Sequence, residues 1–348
     1  MTETFWLRGR GSFLETLNYF HADLGNTTLL SVSAKIKMDM YNNLALGLGL
    51  GLGLGLMLSR RRKTPQTTTV QPSRPLPPTT QTNQVVIVTG GANGIGAGCV
   101  QAFHQQGATV WFCDIDTAAG QALATRLGNN RAHYRDCDVS NPKNVQHFIH
   151  EVMQNTDNQL DVLINNVGVQ LDDGTPAHLL DESVWSKVIA INLTSYFLFA
   201  KYCLPHLMST ANSTKQTTCI INMSSVQGLQ SQPGIPAYAS SKGGILSLTR
   251  QLSMDYAGKG VRVVAINPGT IRTPLFENLL IKRNGAHQLQ RSLQDASQIY
   301  PIKRIGEIEE IAEACLFLAD PTKASFITGT HLTVDGGIMA KGGWSGAA

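Results

Sequence analysis

The 348-residue chain is long enough to bury one large core or two small ones, and its 42% hydrophobic and 15% charged content excludes a disordered or fibrous class. A formal charge of +4 is mild, and much of the excess sits in one run, Arg60 to Lys63, so the balance implies no nucleic-acid partner. The six cysteines (Cys99, Cys113, Cys137, Cys203, Cys219, Cys315) are scattered without a C-x-x-C, which argues for buried reduced thiols and against a disulfide frame or zinc site. His147 and His150 share a helical face but have no evident Cys or carboxylate partner, so they read as solvated surface and no metal is implied.

The pattern changes sharply near residue 84. Residues 1–43 are mixed, with no clear period. Residues 44–59 alternate Gly and Leu without a charge. As a helix, residues 44–58 would span about 22 Å, short of a ~30 Å hydrocarbon core. The basic run that follows suits a cytoplasmic stop, and Gly47, Gly51 and Gly55 form overlapping G-x-x-x-G steps. The leading expectation is a short membrane anchor with the rest of the chain cytosolic. The alternatives are a targeting segment that is removed, or low complexity ahead of a later start, which Met38 and Met40 just before the run make credible; a soluble cytoplasmic protein is the alternative to the anchor. Residues 60–84 are basic, then rich in Thr, Pro and Gln, and read as a linker.

From residue 85 to 348 the pattern is regular. Short apolar runs at 85–90, 108–114, 160–166, 218–225 and 261–269 alternate with helical stretches at 94–106, 117–127, 141–154, 184–209 and 238–257. This alternation predicts an α/β domain with a doubly wound parallel sheet covered on both faces.

The first strand runs into "TGGANGIGAG", in which Gly90, Gly94 and Gly96 follow T-G-x-x-x-G-x-G. Glycines between a strand and a helix let the backbone approach a pyrophosphate at the helix N-terminus, so a dinucleotide site is expected here. Asp114 ends the second strand, where a carboxylate can accept hydrogen bonds from the adenosine ribose and repels a 2′-phosphate. No Lys or Arg lies within the loop, and Asn93 occupies its middle, so NAD is favoured over NADP. The competing reading is that Asp114 caps the next helix, a role for which Asp116 is also placed. Farther on, "YASSK" sets Tyr238 and Lys242 one helical turn apart, which taken alone is an ordinary surface pair.

In order, these motifs resemble the short-chain dehydrogenase/reductase family across roughly residues 84–348. "TGGANGIG" resembles the family's cofactor loop, with Ile95 inside it; "CDVS" carries Asp138 and Val139 at the adenine position. "NNVG" supplies Asn165, Val167 (where the family usually has Ala) and Gly168. "AINLTSYF" supplies Asn192, and "NMSSVQG" supplies Ser225 at the family's spacing before Tyr238. "NPGTIRTP" holds Pro268, Gly269, Ile271 and Thr273 where the family holds the nicotinamide, and "FITGTHLTVDGG" matches the closing strand region. The domain is similar to the short single-domain branch, to the type-14 17β-hydroxysteroid/L-fucose dehydrogenase group and to bacterial glucose dehydrogenase-like members.

The resemblance implies a Rossmann-like fold and hydride transfer between a nicotinamide and a secondary alcohol or ketone, of sugar, polyol or hydroxysteroid type. Tyr238 is then the general acid/base, its phenol acidified by Lys242; Ser225 binds the substrate oxygen; and Asn192 holds a helix irregularity and a proton relay. Substrate choice falls to Val169, Gln170, Gln227, Gln232 and the segment 275–300, with Leu275, Phe276 and Leu279 able to cover an apolar substrate. The apolar helices 184–209 and 238–257 imply a homotetramer or dimer. A non-catalytic cofactor-binding regulator is the alternative, opposed by the presence of all four catalytic residues. A nucleotide-sugar epimerase would need a larger C-terminal substrate domain.

Overall fold

The computed structural model describes residues 83–341 apart from Asn129 and Asp173, so the segments 1–43 and 44–59 and most of the 60–84 linker lie outside the described residues. Seven strands form one parallel sheet: β1 Val85–Thr89, β2 Thr109–Asp114, β3 Ala132–Asp136, β4 Val162–Asn165, β5 Thr218–Met223, β6 Val261–Pro268 and β7 His331–Val334, in the order β3-β2-β1-β4-β5-β6-β7. The helices are α1 Gly94–Gln105, α2 Thr117–Leu127, α3 Pro142–Gln154, α4 Glu182–Ile189, α5 Ser195–Thr214, α6 Pro236–Tyr256, α7 Pro274–Asn284, α8 Leu289–Gln298 and α9 Ile308–Ala319.

Strand periodicity divides the core in two. On β1, Val86 and Val88 face one cluster, with Val100 and Phe103 of α1, Leu123 of α2 and Ile311 and Cys315 of α9. Val85 and Ile87 face the other, with Phe148 and Val152 of α3 and Phe199, Cys203 and Leu207 of α5. Apolar residues on both strand faces are what a sheet buried between two helix layers requires. All six cysteines are free and buried; Cys99 on α1 and Cys315 on α9 meet at 3.7 Å between sulfurs.

Three elements depart from the expected pattern. The helix expected over 184–209 is α4 and α5 joined by a π-helical turn, Ala190–Thr194, with Pro205 accommodated inside α5. β3 carries too few apolar residues to announce itself, because only alternate positions are buried on this edge strand. β7, the opposite edge, is short and half-exposed. Among the described residues, the stretch Glu182–Thr214 is long and apolar enough to cross a membrane, yet 50% of its most apolar window is buried inside the domain, as in a core helix.

Candidate active site

Strand order reverses beside β1, which pairs with β2 on one side and β4 on the other, and this opens a crevice at the carboxyl ends of the strands. β1 leads into Gly90, whose φ of +63° is in the left-handed region that favours glycine. A Cβ on Gly96 would stand 2.0 Å from the Gly90 carbonyl oxygen, so the loop is folded tightly back on the first turn of α1. Asn93 is exposed and its side chain does not cap α1; it donates to Asp116 Oδ2 at 3.0 Å instead. The first-turn amides of Gly94, Ile95 and Gly96 therefore keep the anion-binding character of an uncapped helix N-terminus.

Asp114 is half-buried and accepts from the Ala92 amide at 3.1 Å and the Asp116 amide at 3.1 Å. The cap of α2 is Asp116, through Ala119 N at 3.0 Å, which removes the competing reading of Asp114. Asp138 is exposed and accepts from the Ser140 amide and hydroxyl, while Val139 beside it is buried in the core. Pro268 ends β6, the Gly269 amide donates to Val334 O at 3.0 Å, and Ile271 is buried. Thr273 caps α7 through the Phe276 amide, and its methyl carbon would lie 3.5 Å from a Cβ at Gly94. The segment 268–273 thus folds over the glycine loop, bringing together the two ends expected to hold one cofactor.

One predicted cofactor residue lies elsewhere. Asn165 is buried within the sheet and donates to Asn222 Oδ1 at 2.9 Å, which in turn bonds Thr249, so its side chain belongs to the core and not to the cofactor crevice. Its neighbour Asn166 faces the loop instead, donating to Thr89 O and Gly90 O at 3.0 Å each. Thr89 Oγ1 accepts from the Asn166 and Val167 amides at 3.0 and 3.2 Å. These bonds lock the exits of β1 and β4 together. Strand alternation decides which Asn points where, and the motif's first Asn falls on the interior side.

The catalytic candidates converge at the carboxyl ends of β4 and β5. Asn192 sits in the π turn, fully buried; its Oδ1 accepts from Val169 N at 2.8 Å and its Nδ2 donates to Val169 O at 2.9 Å and to Ser241 Oγ at 3.1 Å. Lys242, buried on α6, donates to the Met223 carbonyl at 2.9 Å, with Nζ 5.6 Å from the Tyr238 ring centroid and 5.9 Å from that of Tyr196. A Cβ on Gly168 would approach Lys242 Nζ to 3.3 Å, so glycine lets the loop after β4 cover the ammonium. Ser225 neighbours the Tyr238 phenol, whose proton affinity it lowers, and accepts from the Gln227 amide at 3.1 Å.

The electrostatics correct one expectation. Burial pushes the Tyr238 phenol above its ordinary value, Ser225 beside it draws it partway back, and the charge of Asp172 raises it further. The Lys242 charge was expected to acidify the phenol, but burial pulls the lysine itself down to about 7, which halves its charge near neutrality.

The expected substrate residues divide. Val169 and Gln170 are half-buried just beyond Gly168, near Asn192. Gln227 Oε1 accepts from the Gln232 amide at 3.1 Å and so shapes its own loop. Both glutamines line a cleft of about 420 Å³ with Pro176, Ala177, Ala239 and Ser240, and neither Ser225 nor Tyr238 lines it. Phe276 packs against Leu280, Leu293 and Tyr300 in a small cluster between α7 and α8, while Leu275 is exposed and Leu279 half-buried, so the apolar cover expected of these three is split. Sequence reading missed Asn166, Tyr196 and Asp172. Asn166 was legible as the second Asn of "NNVG"; Tyr196, whose hydroxyl bonds the carbonyls of Val167 and Met223 at 3.0 Å, and Asp172 carry no local signal.

The sequence profile described as Enoyl-(Acyl carrier protein) reductase matches residues 90–339. The chain belongs to the short-chain dehydrogenase/reductase family. It is 34% identical over 254 residues to the L-fucose dehydrogenase of Bos taurus, covering 73% of this chain and 88% of that one. Among solved structures, the aldohexose dehydrogenase of Thermoplasma acidophilum is 30% identical with a TM-score of 0.69, over 77% of this chain and 98% of its own. The 3-ketoacyl-(acyl-carrier-protein) reductase of Brucella melitensis, complexed with NADH, is 27% identical with a TM-score of 0.67, over 74% and 98%. This short-chain dehydrogenase/reductase is therefore an oxidoreductase whose family binds nicotinamide cofactors. The glycine loop fits such a group: Gly96 has no room for a side chain, and the α1 N-terminus presents amides suited to a pyrophosphate.

Proposed function

We propose that this enzyme oxidises secondary alcohols, or reduces the corresponding ketones, with NAD, on a sugar, polyol or hydroxysteroid-like substrate. The observation that carries the reading is the grouping of Tyr238 with Ser225 and with Lys242, whose Nζ is 5.6 Å from the phenol ring centroid, while Lys242 and the buried Asn192 of the π turn both lie close to Gly168. The dehydrogenase names of the relatives support the alcohol class, and the half-buried Asp114 supports NAD. When bound, the nicotinamide would accept or donate the hydride.

The chain's own residues handle the proton. Tyr238 takes the hydroxyl proton in oxidation and returns it in reduction. Ser225, beside the phenol, donates to the substrate oxygen as charge develops there. Lys242, drawn to about 7, exchanges protons near neutrality, and Asn192 fixes the Val169 backbone above it. Gly90, Gly94, Gly96, Asp138, Val167, Pro268, Gly269, Ile271 and Thr273 frame the cofactor cleft in this reading. The exposed apolar side chains Trp185, Phe197 and Met254 on α4, α5 and α6 support a homodimer or tetramer. A membrane anchor at 44–59 remains a separate proposal, tested by vesicle partitioning of the chain with and without that segment.

The deciding experiment follows reduced-nicotinamide absorbance with L-fucose, glucose, meso-2,3-butanediol and a 17β-hydroxysteroid, with NAD and NADP separately. Turnover that vanishes in Tyr238→Phe while NAD still binds is expected. Retained turnover in that variant overturns the mechanism. Tight NAD binding without turnover on any alcohol favours a regulator.

A further inference from the structure

We infer that Asp172 is a positioning residue for Tyr238: from the β4–α4 loop its buried carboxylate fixes the first turn of α6, on which the phenol stands, and sets its charge among the groups around that phenol. The inference rests on the reading of Tyr238 as the proton-transfer group.

Helix α6 lacks a local cap. Its N-cap residue, Ile235, has no hydrogen-bonding side chain, and Pro236 at the first position has no N–H. The first donors are the amides of Ala237 and Tyr238, and Asp172 Oδ2 accepts both, at 2.7 and 3.0 Å. The cap therefore comes from 66 positions away and binds the backbone of Tyr238 itself. Its carrier is held close: the Thr175 amide donates to Gly234 O at 3.1 Å, and a Cβ on Gly234 would meet Gly174 Cα at 2.7 Å. These contacts tie the first turn of α6 to the loop after Gly168.

Capping alone does not account for the choice of residue. A neutral asparagine or serine at position 172 would offer the same amides an oxygen. Instead the chain buries a carboxylate completely, at 0% exposure, and leaves its Oδ1 without a hydrogen-bond partner. An unpartnered buried carboxylate oxygen is costly, and its remaining effect is electrostatic. Among the described residues, the titratable groups around the phenol are Asp172 from the β4–α4 loop, Tyr196 from α5 and Lys242 from α6 itself. The turn after β5 contributes the neutral Ser225 and the π turn the neutral Asn192. Asp172 is the one carboxylate in this set, and its charge opposes formation of the phenolate.

The test uses the full chain and needs no substrate. Tyrosinate absorbance is titrated in the wild type, Asp172→Asn, Asp172→Ser and Asp172→Glu, each against the same protein carrying Tyr238→Phe, so that the difference isolates one phenol. The asparagine keeps an oxygen and the serine a hydroxyl for the two amides; the glutamate keeps the charge. We expect the midpoint to fall by about half a unit or more in the asparagine and serine variants and to stay near wild type in the glutamate variant. The ascending, acid-side limb of alcohol oxidation, where the phenol must lose its proton to act as base, should follow the same shift. A midpoint within about 0.2 units of wild type in both neutral variants, even with lowered thermal stability, overturns the inference and leaves a structural cap. Full turnover in Tyr238→Phe sinks instead the proton-transfer reading beneath it.

Discussion

The Lys242 ammonium, fully enclosed on α6, donates at 2.9 Å to the main-chain carbonyl of Met223 at the end of β5. No carboxylate pairs with it among the described hydrogen bonds and ion pairs, and its other neighbours are the faces of Tyr196 and Tyr238. A buried lysine without a counter-ion is destabilising when charged. The folded value is about 7 and the ordinary lysine value 10.5, so between these the unfolded chain holds a proton that the folded chain lacks. The lysine's contribution to stability is therefore present above the unfolded value and lost as pH falls toward 7. Lys242→Met should raise stability near pH 7 by about 1–2 kcal/mol and abolish turnover. Paired urea melts at pH 7 and 10 check this: the gain should shrink at the higher pH.

Gly96→Ala tests the glycine loop. The added Cβ would lie 2.0 Å from Gly90 O and 2.6 Å from Asn166 Nδ2. Backbone cannot yield as a flexible side chain does, so a loss of about 3 kcal/mol is expected, with NAD binding lost even where the protein still folds. Thermal melting and NAD titration measure the two effects separately.

Asn166→Ala removes the clamp between the β1 and β4 exits. Thr89 O and Gly90 O each lose a donor at 3.0 Å. Stability should fall by about 1–2 kcal/mol, and the Kd for NAD should rise because the loop is no longer held in shape. Asn165→Ala, by contrast, breaks the internal bond to Asn222 and should lower stability with little change in the Kd of the remaining folded protein.

Asp114→Ser tests cofactor choice. The carboxylate holds the Ala92 amide at the edge of the glycine loop, where a 2′-phosphate would meet its charge. Removing that charge should narrow the NAD-over-NADP ratio of kcat/KM by about tenfold or more. An unchanged ratio would place the discrimination elsewhere.

Much of this arrangement is written locally. Gly90, Gly94 and Gly96 stand between a β-branched run and an apolar helix, so a candidate dinucleotide loop is legible from local context; Tyr238 and Lys242 are one helical turn apart, a pair that spacing alone leaves ordinary and that only the succession of motifs singles out. The parallel sheet is equally legible, because strands covered on both faces are buried along their whole length and mostly apolar, as in β1 and β6. The edge strand β3 is not, since one of its faces meets solvent and its composition resembles a loop.

What tertiary structure alone decided concerns residues whose partners are far away in the chain. The choice between Asn165 and Asn166 depends on which face of β4 meets the core, and the commitment of Phe276 to Leu280 and Tyr300 depends on how α7 and α8 close. The proton affinities of Tyr238 and Lys242 follow from burial, which no spacing records. Asp172 shows the limit most clearly: its sequence neighbourhood carries no motif, and its role exists only because the β4–α4 loop and the first turn of α6, 65 positions apart, are pressed together. Sequence determines local geometry through short-range sterics and hydrogen bonding; desolvation and long-range charge arise only once the chain has packed.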